Sequence, residues 1–164
     1  MPEINIRVSH YFVESLSHLL ERIAKTLRSE LAISVRLVEQ DEDLTAAWEE
    51  GLLEQLQDDC RKLMALFRGN QLGKTAVELD SDSADSILRA ASAVRIRIRE
   101  TFLNGLSEED LEQGEVDFYS LEPDIQQTYA CYVFLAGIQE QLVAQLEGFD
   151  DEGLYDPFAD DDDN

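Results

Sequence analysis

The chain has 164 residues, 44% of them hydrophobic, enough for one domain with a single core that needs neither disulfide nor metal staples. Its 36 acidic residues against 13 basic ones give a net charge of −23, which repels nucleic-acid phosphates and anionic membrane surfaces and leaves basic proteins as the favoured partners. Residues 148–164 hold eight of the acids and no base, so the preceding 147 residues, with 28 acids and 13 bases, are acidic in their own right.

Met1-Pro2-Glu3-Ile4-Asn5 lacks the basic and apolar regions of a secretion signal, and no apolar run reaches bilayer-spanning length, so a cytoplasmic protein is expected. Ten Arg against three Lys beside so many acids also fits a salt-rich cytoplasm, a matter of habitat and not of function. Cys60 and Cys131 share no Cys-x-x-Cys spacing and suit two reduced, buried thiols.

In chain order, Ile4, Ile6 and Val8 alternate with polar residues as a short half-buried strand does. Ser9 is a plausible N-cap for a helix whose apolar face is Phe12, Leu16, Leu19, Ile23, Leu27 and Leu31. That helix continues towards Val38, or else Ile33, Val35 and Leu37 form a second strand. Asp41-Glu42-Asp43 opens a helix with the stripe Trp48, Leu52, Leu56, Cys60, Leu63 and Phe67, closed by Gly69-Asn70.

Val77-Glu78-Leu79 predicts a short strand that pairs with residues 4 to 8, and Asp80 to Ser83 starts a third helix with the core face Ile87, Ala91, Val94, Ile98 and Phe102. Asn104-Gly105 ends it, and Ser107 to Asp110 opens a short helix that stops near Gly114. Residues 115 to 121 read as loop. Pro123 suits the first turn of a last helix reaching about residue 148, in which Tyr129 to Ile138 is apolar throughout and predicts burial on most sides. Phe149 to Asn164 has no sustained periodicity and reads as a disordered acidic tail. No period of 20 to 50 residues recurs.

Several patterns imitate chemistry. Gly69-Asn70-Gln71-Leu72-Gly73-Lys74-Thr75 resembles a phosphate-binding loop, but three residues, not four, separate the glycines, and the segment runs from helix to strand; a helix end and turn explains it better. Asp80-Ser81-Asp82 begins like a calcium loop, yet Asp85 stands where Gly is needed and Ala91 where a bidentate Glu belongs, so a helix N-cap fits. His10, Glu14 and His18 recur at steps of four on a face opposite the apolar one, which predicts a solvated face in preference to a metal site. Glu49, Glu50, Glu54, Asp58 and Asp59 crowd the second helix and read as a hydrated surface. No Ser, Cys or Lys sits beside a recognisable base.

Arg89, Arg95, Arg97 and Arg99 make the third helix the most basic segment. With Ile98 at the centre of the core face, helical geometry puts Arg95 about 60° from it, Arg97 and Arg99 about 100° to either side, and Arg89 opposite. Arg95 is then expected to pair with a carboxylate at the core margin, while Ile96 and Leu103, towards the far side, predict a second apolar contact.

Two stretches, Tyr129 to Val143 and Val77 to Leu103, resemble an uncharacterised, mainly actinobacterial family of small acidic helical proteins. The first, Tyr129-Ala130-Cys131-Tyr132-Val133-Phe134-Leu135-Ala136-Gly137-Ile138-Gln139-Glu140-Gln141-Leu142-Val143, is similar to that family's Leu-Gln-Glu-x-Leu-Val helix, with Phe134 in place of the usual Trp and Gly137 in place of a large residue. The second is similar in Val77-Glu78-Leu79-Asp80, Leu88-Arg89-Ala90 and Val94-Arg95, but the family's Gly-x-Arg-Leu ending is absent around residues 99 to 103. The resemblance implies a mostly helical fold, a bacterial cytoplasm and a gene neighbourhood shared with an adaptor of the Clp protease. It supplies no catalytic residue.

These readings predict a mainly α fold, a helical bundle around a buried C-terminal helix with a minor two- or three-stranded sheet, spanning residues 1–148. No catalytic residue, cofactor or metal ligand is assigned. The expected role is a non-enzymatic interaction or regulatory module with a basic protein partner, without direct nucleic-acid or membrane binding and with self-association left open. Phe149, Leu154, Tyr155, Pro157 and Phe158 of the tail are the predicted partner contacts, because apolar anchors among carboxylates can fold onto a basic groove. The alternatives are an enzyme whose site is assembled only in space, and an acidic mimic of nucleic acid.

Overall fold

The computed structural model describes residues 4–6, 10–27, 42–67 and 77–151, with side chains described at Ile4, 16–27, 42–66 and 78–147. Strand β1 (Ile4–Ile6) leads to α1 (His10–Thr26), then α2 (Glu42–Phe67), β2 (Val77–Leu79), α3 (Ser81–Thr101), α4 (Glu108–Gln113), a 3₁₀ turn at Phe118–Ser120 and α5 (Pro123–Asp151). The fold is a mainly α bundle carrying one strand pair. The strands are antiparallel, with Ile4 opposite Leu79 and Ile6 opposite Val77, which is the pairing their alternation predicts. Ile33, Val35 and Leu37, and the loop-like Gly69 to Thr75, lie outside the described residues.

Helix starts and stops follow local chemistry. Asp80 Oδ1 accepts the Ser83 backbone N–H at 2.7 Å and caps α3, and Ser107 Oγ accepts that of Asp110 at 3.0 Å and caps α4. The Ser83 N–H, together with its hydroxyl, holds the Asp80 carboxyl below its usual range. Gly114 closes α4 at φ 68°, a left-handed position that suits glycine. Pro123 occupies the first position of α5, where its missing N–H costs nothing.

α3 packs against α1, α2 and α5, and α5 also covers β1 and α1. The core combines Leu16, Leu20 and Ile23 of α1 with Leu63 of α2, Ile87, Val94 and Ile98 of α3, and Cys131, Leu135 and Leu142 of α5. The apolar run of α5 is mostly buried as expected, with Val133, 48% exposed, its one outward residue. α5 runs three residues beyond the expected end.

The end of α3 corrects the sequence expectation. Phe102 lies 39% exposed, whereas Leu103, assigned to the far side, is fully buried. The helix stops at Thr101, and the Phe102 and Leu103 N–H groups both bond to Ile98 O, at 2.9 and 3.1 Å. This closing turn departs from the helical period, so the periodic projection fails after residue 101 and Leu103 swings into the core.

Candidate functional site

α2 is acidic and long, 26 residues or about 39 Å, and only its C-terminal half enters the core. Among its described side chains, none before Asp59 is buried, while Asp59, Cys60, Leu63, Met64 and Leu66 are. The predicted stripe therefore emerges from the protein: Cys60 and Leu63 are buried, Leu56 and Leu52 half-buried, Trp48 51% exposed and Leu44, one turn further, 54% exposed. Trp48 is thus a surface residue and not the core residue its periodicity suggests. Periodicity defines a face but not how far along a helix a partner covers it.

Glu42, Asp43, Glu49, Glu50, Glu54 and Asp58, all exposed, share the helix with this exposed face, at about 60–140° round the axis from the Leu44–Trp48 line, and no Lys or Arg occurs from residue 42 through 60. Glu42 and Asp43 in the first turn favour the helix dipole, so the charge is compatible with the helix. The arrangement offers an apolar strip with an indole on a helix whose other sides carry carboxylates. Chemically it can take an apolar helix face bordered by cations, with Arg or Lys also placed over the indole. The signal missed in the sequence was the pairing of an apolar stripe with seven acids and no base over 19 residues.

Asp59 breaks from the carboxylates around it. It is 3% exposed, which corrects the hydrated reading of that residue. Arg89 of α3 clamps it with Nε to Oδ2 at 2.8 Å and Nη2 to Oδ1 at 2.9 Å, and also donates to Ser86 Oγ at 3.2 Å. The Asp59 hydrogen bonds raise the Arg89 pKa above its ordinary value. Lys62 Nζ donates to the same Ser86 Oγ, so the contacts 59–89 and 62–86 run in opposite order and α2 and α3 are antiparallel. Arg89 faces away from the Ile98 side as projected, but a second helix stands there.

Arg95 also differs from expectation. Its guanidinium lies 4.3 Å from the Tyr132 ring centroid, and Nη1 donates to the Gln139 side-chain carbonyl at 2.7 Å, so an aromatic face and an amide replace the expected carboxylate. Gln139 Nε2 in turn donates to Ser92 Oγ at 2.7 Å, which locks α5 to α3. Arg99 bonds Glu108 at 2.9 Å and ties α3 to α4. These arginines hold helices together.

Of the possible metal face, His18 is exposed, while the side chains of His10 and Glu14 lie outside the described residues. Among the described residues no three His, Cys, Asp or Glu side chains converge on a metal-holding group. Neither cysteine is in a disulfide and both are buried, and burial pushes the Cys131 pKa up to about 12, which removes it as a nucleophile near neutrality. No described helix is long and apolar enough to cross a membrane. Phe149 sits in the last turn of α5, its side chain outside the described set, and Leu154, Tyr155, Pro157 and Phe158 lie outside the described residues.

A family model described as a domain of unknown function (DUF2017) matches residues 38–146. The match contains all of α2 and both stretches that carry the resemblance, 77–103 and 129–143. No curated protein and no solved structure matches the chain.

Proposed function

This chain belongs to the DUF2017 family of domains of unknown function, and for it we propose the role of a non-enzymatic interaction module that docks a basic amphipathic helix of a partner protein on the N-terminal half of α2. The observation that carries the proposal is the exposed Leu44–Trp48 strip on a helix that also bears six exposed carboxylates and no base before Arg61. An exposed Trp at the centre of a patch is the kind of residue on which binding energy concentrates, and the carboxylates steer a basic partner towards it. A second copy of the chain is disfavoured, because it would bring two strongly acidic helix segments together.

The tail belongs to the same proposal. Phe149, Leu154, Tyr155, Pro157 and Phe158 add apolar anchors among Asp and Glu, and so extend the acidic surface offered to the same basic partner. A bacterial cytoplasmic setting, and a link to proteolysis through the neighbouring Clp-adaptor gene, complete the reading as the family resemblance implies it.

Trp48 is the only Trp in the chain, so its emission reports on this surface alone. Titration with a synthetic Lys/Leu amphipathic helical peptide should shift that emission to the blue, with affinity falling as salt rises. Leu44→Ser should weaken the complex several-fold, and deletion of residues 149–164, or Phe158→Ala, should weaken it further in a salt-dependent manner. A scrambled peptide of equal charge that binds equally well would reduce the contact to charge attraction, and an unmoved emission would remove α2 as the docking surface.

A further inference from the structure

A second surface stands apart from α2: among the described residues, no α2 side chain lines it. It is a cleft of about 310 Å³ between α1, the end of α3 and the start of α5. Leu19, Phe102 and Ile125 provide its apolar wall, and Arg22 and Asp124 line the same space from α1 and α5. The wall exists because the closing turn of α3 sends Leu103 inward and leaves the Phe102 ring at the rim.

Charge bookkeeping sets Arg22 apart. In so acidic a chain the described cations are engaged: Lys25 with Glu21, Arg61 and Lys62 with Asp58, Arg89 with Asp59, Arg95 with Gln139 and Arg99 with Glu108, and Arg97 also has a contact. Among the described residues Arg22 alone has no such partner. Asp124 faces the same cleft without an ion pair to Arg22 or to any other described cation. Thr128, also lining the cleft, spends its hydroxyl on Asp124 O at 2.9 Å, so the backbone there is satisfied and the carboxylate is left for another group.

We propose that this cleft binds an α-amino acid with an apolar side chain. Arg22 takes the carboxylate in the forked geometry a guanidinium favours, Asp124 takes the ammonium group, and Leu19, Phe102 and Ile125 receive the side chain. Two observations select a zwitterion. Opposite charges stand unpaired on the two sides of one apolar-walled space, and the net charge of −23 repels a simple organic anion but not a ligand of zero net charge. The volume lies at the small end of ligand sites, which suits a single amino acid.

The experiment is a calorimetric and amide-shift titration of the full chain with L-leucine, N-acetyl-leucine, leucinamide and N-acetyl-leucinamide. L-leucine should bind saturably and shift the amides of Leu19, Phe102 and Ile125, and each blocked form should bind at least about fivefold more weakly, as loss of one charge-assisted hydrogen bond requires. Arg22→Gln should lose the preference for L-leucine over leucinamide while keeping leucinamide binding, and Asp124→Asn should do the same towards N-acetyl-leucine. Both residues are exposed, and unchanged thermal melts will show that the fold is retained. Absence of saturable shifts, equal binding of N-acetyl-leucinamide and L-leucine, or variants with unaltered preferences would each overturn the assignment. None of these outcomes bears on peptide docking at Trp48.

Discussion

Cutting the Asp59–Arg89 clamp from either side should have unequal effects, because its two ends sit in different surroundings. The Asp59 side chain is 4% exposed and the Arg89 side chain 49% exposed. Asp59→Ala removes two charge-assisted bonds but leaves a guanidinium that water already reaches, so the loss is about 1–2 kcal/mol after solvent screening. Arg89→Ala leaves a carboxylate in the core without its two donors. Breaking a buried pair in that way costs 3–5 kcal/mol, and Lys62, already at Ser86 Oγ, offsets part of it, leaving about 2–4 kcal/mol. At roughly 2–4 °C per kcal/mol for a chain of this size, Arg89→Ala should lower Tm by about twice as much as Asp59→Ala. Urea denaturation of both variants and of the double variant measures the asymmetry, and the double variant should be more stable than Arg89→Ala alone. If Asp59→Ala were as damaging as Arg89→Ala, the reasoning from unequal burial would fail.

Leu135, fully buried in α5, should cost about 2–5 kcal/mol when replaced by Ala, and Leu135→Asp should abolish cooperative unfolding altogether; a normal melt of the Asp variant would contradict the position of α5 in the core. Cys131, with its pKa pushed up to about 12, should resist a thiol reagent at pH 8 in the folded protein and react at an ordinary rate in urea, and rapid labelling without denaturant would show that the thiol is reached by solvent. Asp80 has a folded-state pKa below its ordinary value of 3.8, so its contribution to stability is fully present above that pH and is lost as pH falls through the lower folded value. The stability gap between the wild type and Asp80→Ala should accordingly stay constant from pH 5 to 8 and close only in strong acid. A gap that widened on acidification would refute the cap as its source.

Much of the fold was legible because it is encoded locally. Asp80 and Ser107 announce the starts of α3 and α4, Gly114 the end of α4 and Pro123 the start of α5, each through a backbone group satisfied or spared within one turn. The Ile4–Ile6 and Val77–Leu79 alternations likewise announced a strand pair, since period-two burial has few other solutions. Leu16, Leu19 and Ile23, and Ile87, Ala91, Val94 and Ile98, are buried as their spacing requires.

The errors fall where a partner distant in sequence decides the outcome. Asp59 shares the apolar face of Leu56 and Leu63, a phase that Asp58, between Glu54 and Lys62, does not have; what makes a carboxylate tolerable on that buried face is Arg89, 30 residues away. The stripe from Leu44 to Leu63 is continuous in sequence, yet its neighbours cover only the C-terminal part and leave Trp48 in water. Arg95 found Tyr132 and Gln139 because α5 packs there, and the cleft at Arg22 exists only where α1, α3 and α5 meet. The sequence by itself determined which faces are apolar and where the helices begin, because periodicity and capping are properties of a few consecutive residues. Which of those faces stays uncovered, and which charges stay unpaired, was decided by tertiary packing, because burial and pairing depend on atoms that only the folded chain brings within reach.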